Sequence, residues 1–309
     1  MLEPMKHLLS SKDLSRQEIE SLIDRAQEFL PVVRERRSLD LAKGMILAAL
    51  FYEPSTRTRF SFETAMLRLG GQVISNFMMG ATSSAKKGET FFDTGKTVSQ
   101  YANIIAMRHP EAGSVPKLAE GSEVPVMNGG DGPADHPTQG LLDLLTIKES
   151  LGRLEGFTFM GLGDMKYSRV VKADINLLSK FGPIRFIFVT PSELAMPGEY
   201  VEMLEAAGHT VEQHSDMEAG LKEADVVVQT RVQGERFPSE EEYLKHKGVY
   251  VIGKEQMEMM KKDAILMHPL PRVDEIKPEV DEDPRAIYFQ QAQNGVAMRM
   301  ALIVHLLNL

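Results

Sequence analysis

The most chemically distinctive stretch of the sequence is FYEPSTRTRFSF, in which an apolar run passes into arginine and hydroxyl side chains. Two arginines and four hydroxyls fall within eight consecutive positions. If a helix begins here after a strand, its first N–H groups attract an anion. Ser55, Thr56 and Thr58 can donate to phosphate oxygens, and Arg57 offers a planar charged fork. The stretch predicts a phosphate cradle, although a capped surface helix with solvated arginines remains open.

The two arginines of this stretch are expected to differ in role. Arg57 and Arg59 lie two positions apart, so in a helix they face different sides. Only one can point into a phosphate site, and we expect Arg59 to be structural.

Other polar side chains follow apolar runs at equivalent positions. They are Arg108 in IIAMRHP, His136 and Gln139 in ADHPTQG, and Arg231 and Gln233 in QTRVQ. Each alone could be a surface residue or a helix cap. In MHPLPR, two prolines flank Leu270 and predict a rigid turn that holds a backbone carbonyl in place and can include a cis bond. A loop that connects two domains is the alternative.

The segment GLGD, at 161–164, resembles the start of a dinucleotide-binding motif. The third glycine is missing, and the next apolar run, IRFIFVTP, ends without an acidic residue for a ribose. We therefore reject a dinucleotide site. Arg169, which follows shortly after, is suited to binding a carboxylate.

The segment SSAKKGET has no strand character and is expected to be a polar loop. Ser83, Lys86 and Lys87 in it could bind an anion. A solvated loop is the alternative.

The elements that must position these side chains alternate along the chain. Apolar strand-like runs are MILAALFY, QVISNF, NIIAMRH, VPVMNGG, GFTFMGLG, IRFIFVTP, TVEQHS, DVVVQTRV, VYVIGK and AILMHPL. Helix-like segments separate most of them, and Ser15 with Glu18 forms a capping box before the first. Ten strands in 309 residues favour two sheets over one. We predict an α/β protein with two doubly wound domains, each a mainly parallel sheet flanked by helices.

The domain boundaries follow from two helical segments. A helix begins at HPTQ after the fourth strand, and the nearly all-apolar tail NGVAMRMALIVHLLNL must be covered on most sides. We expect the tail to dock on the first domain. The predicted domains are 1–134 with 292–309, and 135–291.

Composition excludes several classes of protein. The net charge is −9 and the pI is about 5.5, which disfavours non-specific nucleic-acid binding. No run approaches the roughly 20 apolar residues that span a bilayer, and no secretion signal is apparent. The sequence has no cysteine, which excludes disulfides, thiolate metal sites and a cysteine nucleophile. We expect a cytoplasmic protein that binds neither nucleic acid nor membrane.

The motifs STRTR, SAKKGET, MRHP, HPTQ, GDMKYSR, TRVQ and HPLPR resemble those of the aspartate carbamoyltransferases. The resemblance covers essentially the whole chain, in the same order and at similar spacing. The related ornithine enzymes usually carry cysteine where this chain has HPTQ and HPLPR. A carbamoyltransferase for ornithine or another amino acid, and a non-catalytic anion-binding paralogue, are the alternatives.

The resemblance implies transfer of a carbamoyl group from carbamoyl phosphate to the amine of L-aspartate, a step of pyrimidine synthesis, with no metal or organic cofactor. The implied phosphate ligands are Ser55, Thr56, Arg57 and Thr58, with Arg108 reaching both phosphate and carbonyl. Thr58, Arg108 and His136 would polarise the carbonyl oxygen, and Gln139 with the Leu270 carbonyl would hold the carbamoyl amine. Arg169, Arg231 and Gln233 would bind the carboxylates of aspartate.

The resemblance also implies a homotrimer with shared active sites. Ser83 and Lys87 would reach the neighbouring subunit's site, regulatory chains could attach, and the domains would close around the substrates. Two positions depart from the family pattern: Ser168 stands where glycine is more frequent, and Gly140 stands where threonine or alanine is usual. We expect Ser168 to restrict the backbone beside Arg169.

Overall fold

The computed structural model describes residues 5–79, 88–232, 239, 241, 244–245 and 248–309. The chain forms two compact units, Met1–Leu145 with Ala292–Leu309, and Thr146–Gln291. Residues 135–145, which the sequence analysis assigned to the second domain, therefore lie in the first unit. The physical reason is that the first turns of their helix pack on the C-terminal helix: Thr138 accepts a hydrogen bond from Arg299 at 3.2 Å.

The first unit alternates helices and strands. Its elements are α1 (Arg16–Arg34), β1 (Ile46–Phe51), α2 (Thr56–Arg68), β2 (Gln72–Phe77), α3 (Phe91–Val98), β3 (Ile104–His109), α4 (Ser114–Gly121), β4 (Val126–Asp131) and the start of α5 (Pro137–Leu151). All strand pairs are parallel, in the order β2-β1-β3-β4. The predicted capping box at Ser15 and Glu18 begins α1.

The core of this unit lies on both faces of the sheet. Strand β1 is buried from Leu47 to Phe51, as expected for a central parallel strand covered on both sides. The last part of α10 (Tyr288–Leu307) belongs to this unit and is buried over most of its surface. The apolar tail thus lies in the same compact unit as the N-terminal part of the chain.

The second unit repeats the same plan. Its elements are β5 (Thr158–Leu162), α6 (Arg169–Leu178), β6 (Arg185–Val189), α7 (Gly198–Ala206), β7 (Thr210–His214), α8 (Met217–Glu223), β8 (Val226–Gln229), α9 (Lys254–Met259) and β9 (Ile265–Met267), with short 3-10 turns at Ser192–Leu194 and Pro278–Glu282. The parallel order is β7-β6-β5-β8-β9. The two doubly wound parallel sheets confirm the predicted fold class.

One of the ten predicted strands is wrong. Within VYVIGK, Ile252 makes only an isolated bridge to Ile276. Its apolar character has another cause, because Tyr250 and Ile252 pack into the core of the second unit. The chain then enters α9 at Gly253. Burial without a strand partner produced the strand-like pattern.

Each sheet has a point where the strand order reverses. In the first unit β1 is followed by β2 on one side and by β3 on the other; in the second, β5 stands in the same relation to β6 and β8. Ligands of open α/β sheets bind beyond the carboxyl ends of the strands at such points. No helix among the described residues has the length and apolar character of a membrane span.

Candidate active site

The phosphate-binding candidates lie at the switch point of the first unit. Ser55 follows β1 as the residue before α2, and its side chain makes no capping hydrogen bond. Thr56 and Arg57 are exposed in the first turn of α2, whereas Thr58 is only 8% exposed. The first N–H groups of a 13-residue helix and three hydroxyls therefore meet at this edge of the sheet.

Arg108 lies across the switch point, near the end of β3. Its Nη1 lies 3.4 Å from Thr58 Oγ1, which joins it to the first turn of α2. Its Nε donates to Glu53 Oε1 at 2.6 Å, and the two side chains are 14% and 26% exposed. Glu53 was not predicted from the sequence, although it is the only acidic residue in EPSTRTR and lies directly beside the predicted cradle.

The arginines make this edge electropositive. Partial burial, followed by the positive charge of Arg108, lowers the pKa of Arg57 from its ordinary value. A dianion placed near both guanidinium groups relieves this repulsion. Arg59 takes another role: it lies 3.4 Å from Glu63 and stacks over the rings of Phe60 and Phe77. These contacts agree with the structural role expected for Arg59, and the phosphate-binding role of Arg57 stays a prediction.

The HPTQ turn follows β4, the neighbour of β3. His136 is buried, and its backbone N–H donates to Asp135 Oδ1 at 2.7 Å. The other oxygen of Asp135 accepts from Ser10 Oγ at 2.8 Å and from the Ser11 N–H at 2.6 Å. The N-terminal segment thus anchors the turn that presents His136.

A buried arginine lies next to the hydrogen-bonding partner of His136. Arg299 can only donate, so Thr138 Oγ1 accepts from it at 3.2 Å, and the same hydroxyl lies 3.4 Å from His136 Nδ1. When the Thr138 hydroxyl donates to Nδ1, the ring proton lies on Nε2. Burial, together with the charge of Arg108, lowers the pKa of Arg299 to about 9 despite the opposing effect of Asp143.

Gln139 is oriented by a buried carboxylate. Its Nε2 donates to Asp143 at 3.0 and 3.3 Å, one helical turn further along α5. Because a carboxylate only accepts, the amide oxygen of Gln139 is directed away from Asp143. Gln139 can therefore present an acceptor to a ligand.

The second unit places its candidates at its own switch point. Arg169 is the first residue of α6, after β5, and Arg231 lies two residues after the end of β8. Gly163 allows the ends of these strands to approach: its φ is +112°, and an added Cβ would lie 2.5 Å from the Thr230 carbonyl oxygen. Thr230 Oγ1 accepts from the Asp164 N–H at 3.0 Å.

Ser168 does not have the effect expected from the sequence. Its φ is −71°, which any L-residue adopts, and its side chain caps α6 by accepting from the Val171 N–H. Serine therefore supports the helix that carries Arg169 without backbone strain.

Leu270 follows β9, the neighbour of β8. It has φ +56° and a cis bond to Pro271, which confirms the expected rigid turn. Its N–H donates to His268 Nδ1 at 2.8 Å. Three further predicted residues of the polar loop, Ser83, Lys86 and Lys87, lie outside the described residues, as does Gln233. Where the structure is described, no cluster of His, Asp and Glu could hold a metal ion.

Comparisons with known proteins agree with this division. Residues 6–149 match the family profile "Aspartate/ornithine carbamoyltransferase, carbamoyl-P binding domain", and residues 155–306 match "Aspartate/ornithine carbamoyltransferase, Asp/Orn binding domain". The aspartate carbamoyltransferase catalytic subunit of Thermococcus gammatolerans is 46% identical over 298 residues, 96% of each chain.

Solved structures of aspartate transcarbamoylases are also similar to this chain. The catalytic subunit of M. jannaschii aspartate transcarbamoylase has a TM-score of 0.91 at 44% identity and covers 98% of each chain. Aspartate transcarbamoylase from Trypanosoma cruzi in complex with N-(phosphonacetyl)-L-aspartic acid has a TM-score of 0.90 at 37% identity. The match covers 96% of this chain and 94% of the Trypanosoma cruzi chain.

Proposed function

The chain belongs to the aspartate/ornithine carbamoyltransferase family, and from this premise we propose that it transfers the carbamoyl group of carbamoyl phosphate to L-aspartate. The aspartate nitrogen bonds to the carbonyl carbon, the bond from that carbon to the phosphate oxygen breaks, and the products are N-carbamoyl-L-aspartate and phosphate. The observation that carries the proposal is the meeting of the STRT turn with Arg108 at the switch point of the first unit. The names of the relatives support aspartate as the acceptor.

The first unit binds carbamoyl phosphate in this proposal. Ser55, Thr56 and Thr58 hydroxyls and the first N–H groups of α2 bind the phosphate oxygens, and Arg57 adds a charged fork. Negative charge grows on the phosphate as it leaves, so Arg57 stabilises the transition state more than the bound substrate. Partial burial and then the positive charge of Arg108 lower the pKa of Arg57, and a bound anion would offset both effects.

The carbamoyl group itself needs donors at one end and acceptors at the other. Attack on the carbonyl carbon moves charge onto its oxygen, where Thr58, Arg108 and His136 donate hydrogen bonds. The Nε2–H tautomer of His136 is the form that can donate from the ring end opposite Thr138. The carbamoyl NH₂ donates to the Gln139 amide oxygen and to the Leu270 carbonyl oxygen.

Aspartate is bound by the second unit. Arg169 and Arg231, beside its switch point, pair with the two carboxylates, and Gln233 adds a polar contact. A cationic ornithine side chain would meet arginine instead of an acidic partner. The aspartate ammonium must lose a proton before attack, and a phosphate oxygen of carbamoyl phosphate accepts it.

The complete enzyme is proposed to be a homotrimer in which Ser83 and Lys87 of one subunit complete the site of the next. Mixing an Arg57→Ala chain with a Lys87→Ala chain tests the sharing of sites, because a hybrid trimer regains some sites with neither change. Recovered activity is the expected result, and no recovery contradicts shared sites. The absence of cysteine supports a cytoplasmic enzyme of pyrimidine synthesis, to which regulatory chains can attach.

The reaction is tested by measuring phosphate release from carbamoyl phosphate with aspartate and, separately, with ornithine. We expect turnover with aspartate only. Arg57→Ala should lower kcat/KM by roughly 10²- to 10³-fold. Arg59→Ala is the matched control, because Arg59 packs against Glu63 on the same helix. Equal turnover with ornithine, or equal activities of the two variants, would contradict the proposal.

A further inference from the structure

We propose that His268 is a positioning residue that holds the Leu270 peptide through its Nδ1 atom, and that it thereby sets the preference of the enzyme for a carbamoyl group over an acyl group without an amine. The inference rests on the proposed function, in which the Leu270 carbonyl oxygen accepts a hydrogen bond from the carbamoyl NH₂. His268 itself contacts neither substrate nor reacting atoms in this account.

His268 is fixed by three hydrogen bonds within the second unit. The residue is 1% exposed, and its backbone N–H donates to Gln291 Oε1 at 2.9 Å. Its Nδ1 accepts from the Leu270 N–H at 2.8 Å, and its Nε2 lies 2.8 Å from Glu275 Oε1. Since a backbone N–H points at Nδ1, that nitrogen carries no proton, and the ring proton lies on Nε2.

Glu275 maintains this tautomer. Burial alone would raise the pKa of Glu275, but the hydrogen bonds from His268 and from backbone N–H groups more than offset burial, and the pKa is lowered. The second carboxylate oxygen accepts from the Val273 and Asp274 N–H groups, each at 3.1 Å. An ionised carboxylate has no hydrogen to donate, so the ring must donate from Nε2 and accept at Nδ1.

The Leu270 turn has a specific need for this acceptor. Leu270 is flanked by Pro269 and Pro271, which have no N–H, so it carries the one backbone donor of the segment 269–271. Its φ of +56° lies in the left-handed region that side chains disfavour. A bond from its N–H to a buried, fixed nitrogen holds φ at this value and so determines where its carbonyl oxygen points.

This orientation affects one kind of ligand only. Carbamoyl phosphate carries an NH₂ group where acetyl phosphate carries a methyl group, and a carbonyl acceptor stabilises only the former. Displacing the Leu270 carbonyl should therefore weaken carbamoyl phosphate selectively. General damage to the phosphate site or to the fold would weaken both ligands.

Two substitutions separate the functions of the ring. In His268→Asn the side-chain Oδ1 takes the place of Nδ1 and still accepts from the Leu270 N–H, but the bond to Glu275 is lost. In His268→Gln the Nε2 takes the place of the ring Nε2 and still donates to Glu275, but the acceptor for Leu270 is lost. The pair is matched because each variant retains one bond and removes the other.

The experiment measures the KM for carbamoyl phosphate and the competitive inhibition constant for acetyl phosphate. For His268→Gln we expect the KM to rise on the order of ten-fold and the inhibition constant to change less than about two-fold. For His268→Asn both should stay within about three-fold of wild type. Equal losses for both ligands, or a larger loss in His268→Asn than in His268→Gln, would overturn the inference.

A measurement on the wild-type protein covers the case in which the variants do not fold. The ¹⁵N chemical shifts of the His268 imidazole should show a neutral ring protonated at Nε2, and a ring protonated at Nδ1 would overturn the inference. If the wild-type protein does not carbamoylate aspartate, the proposed function fails. If the wild-type protein carbamoylates aspartate but His268→Gln leaves the ratio of the KM for carbamoyl phosphate to the inhibition constant for acetyl phosphate unchanged, only the proposed role of His268 is wrong.

Discussion

Removing the carboxylate of Glu53 should strengthen phosphate binding. In the free protein Glu53 Oε1 accepts from Arg108 Nε at 2.6 Å, so an incoming phosphate must compete with Glu53 for the Arg108 guanidinium. Glu53→Gln keeps the shape of the side chain and a neutral acceptor but removes its charge. Arg108 then becomes easier to recruit, and the local positive charge that attracts an anion increases.

The expected magnitude follows from the burial of the pair. A hydrogen bond to a charged group contributes about 1.5–3 kcal/mol, and a neutral one about 0.5–1.5 kcal/mol. The two side chains are only 14% and 26% exposed, so solvent screens the pair less than a surface ion pair. The difference, about 1–1.5 kcal/mol, corresponds to roughly five- to twelve-fold tighter phosphate binding.

The assay is calorimetric titration with inorganic phosphate at constant ionic strength, which probes binding without turnover. Glu63→Gln is the matched control, since it removes the same charge from a pair with Arg59 at 3.4 Å outside the predicted site. Glu53→Gln should lower the phosphate Kd, and Glu63→Gln should change it much less. Unchanged or weaker phosphate binding in Glu53→Gln, or an equal gain in both variants, would refute competition at Arg108.

Three further changes test the site and its scaffold. His136→Ala should lower kcat by about 10²- to 10³-fold, because a donor to the carbonyl oxygen is lost. Both limbs of the pH–rate profile should remain, because the proton acceptor is a phosphate oxygen; the loss of one limb would show that His136 is the base. Gly163→Ala should lower Tm more than Gly152→Ala. Both glycines have positive φ, but only at position 163 would an added Cβ lie 2.5 Å from a carbonyl oxygen. Equal shifts in Tm would show that this close approach does not affect stability. Hydrogen bonds from Arg272 lower the pKa of Asp281, so its contribution to stability is present above the unfolded-state pKa of about 3.9 and is lost as pH falls through the folded-state value. Asp281→Asn should therefore destabilise at pH 7 and approach wild-type stability in acid, and a difference in urea midpoint that is independent of pH would contradict this.

The position of the candidate site residues in the fold could be predicted from the sequence, because parallel sheets impose it. Residues that follow apolar runs, such as Arg108 and Arg231, must lie at the carboxyl edge of their sheet wherever the runs form strands. Helix starts such as the one after Ser55 are visible in residue types and spacing, which depend on local preferences. These features need no knowledge of how distant segments pack.

The interactions that tune the site could not be predicted, because they join residues far apart in the chain. Glu53 and Arg108 are 55 positions apart, and Arg299 and Thr138 are 161 apart. The first domain boundary was predicted too early for the same reason, since the packing of α5 on Arg299 leaves no local pattern. Apolar burial alone likewise made VYVIGK resemble a strand.

The most direct test of the proposed function is a crystal structure of the protein with N-(phosphonacetyl)-L-aspartic acid bound. We expect the phosphonate to contact Ser55–Thr58 and Arg108, and the two aspartate carboxylates to contact Arg169 and Arg231. A phosphonate bound elsewhere, with Arg57 and Arg108 both turned to solvent, would contradict it.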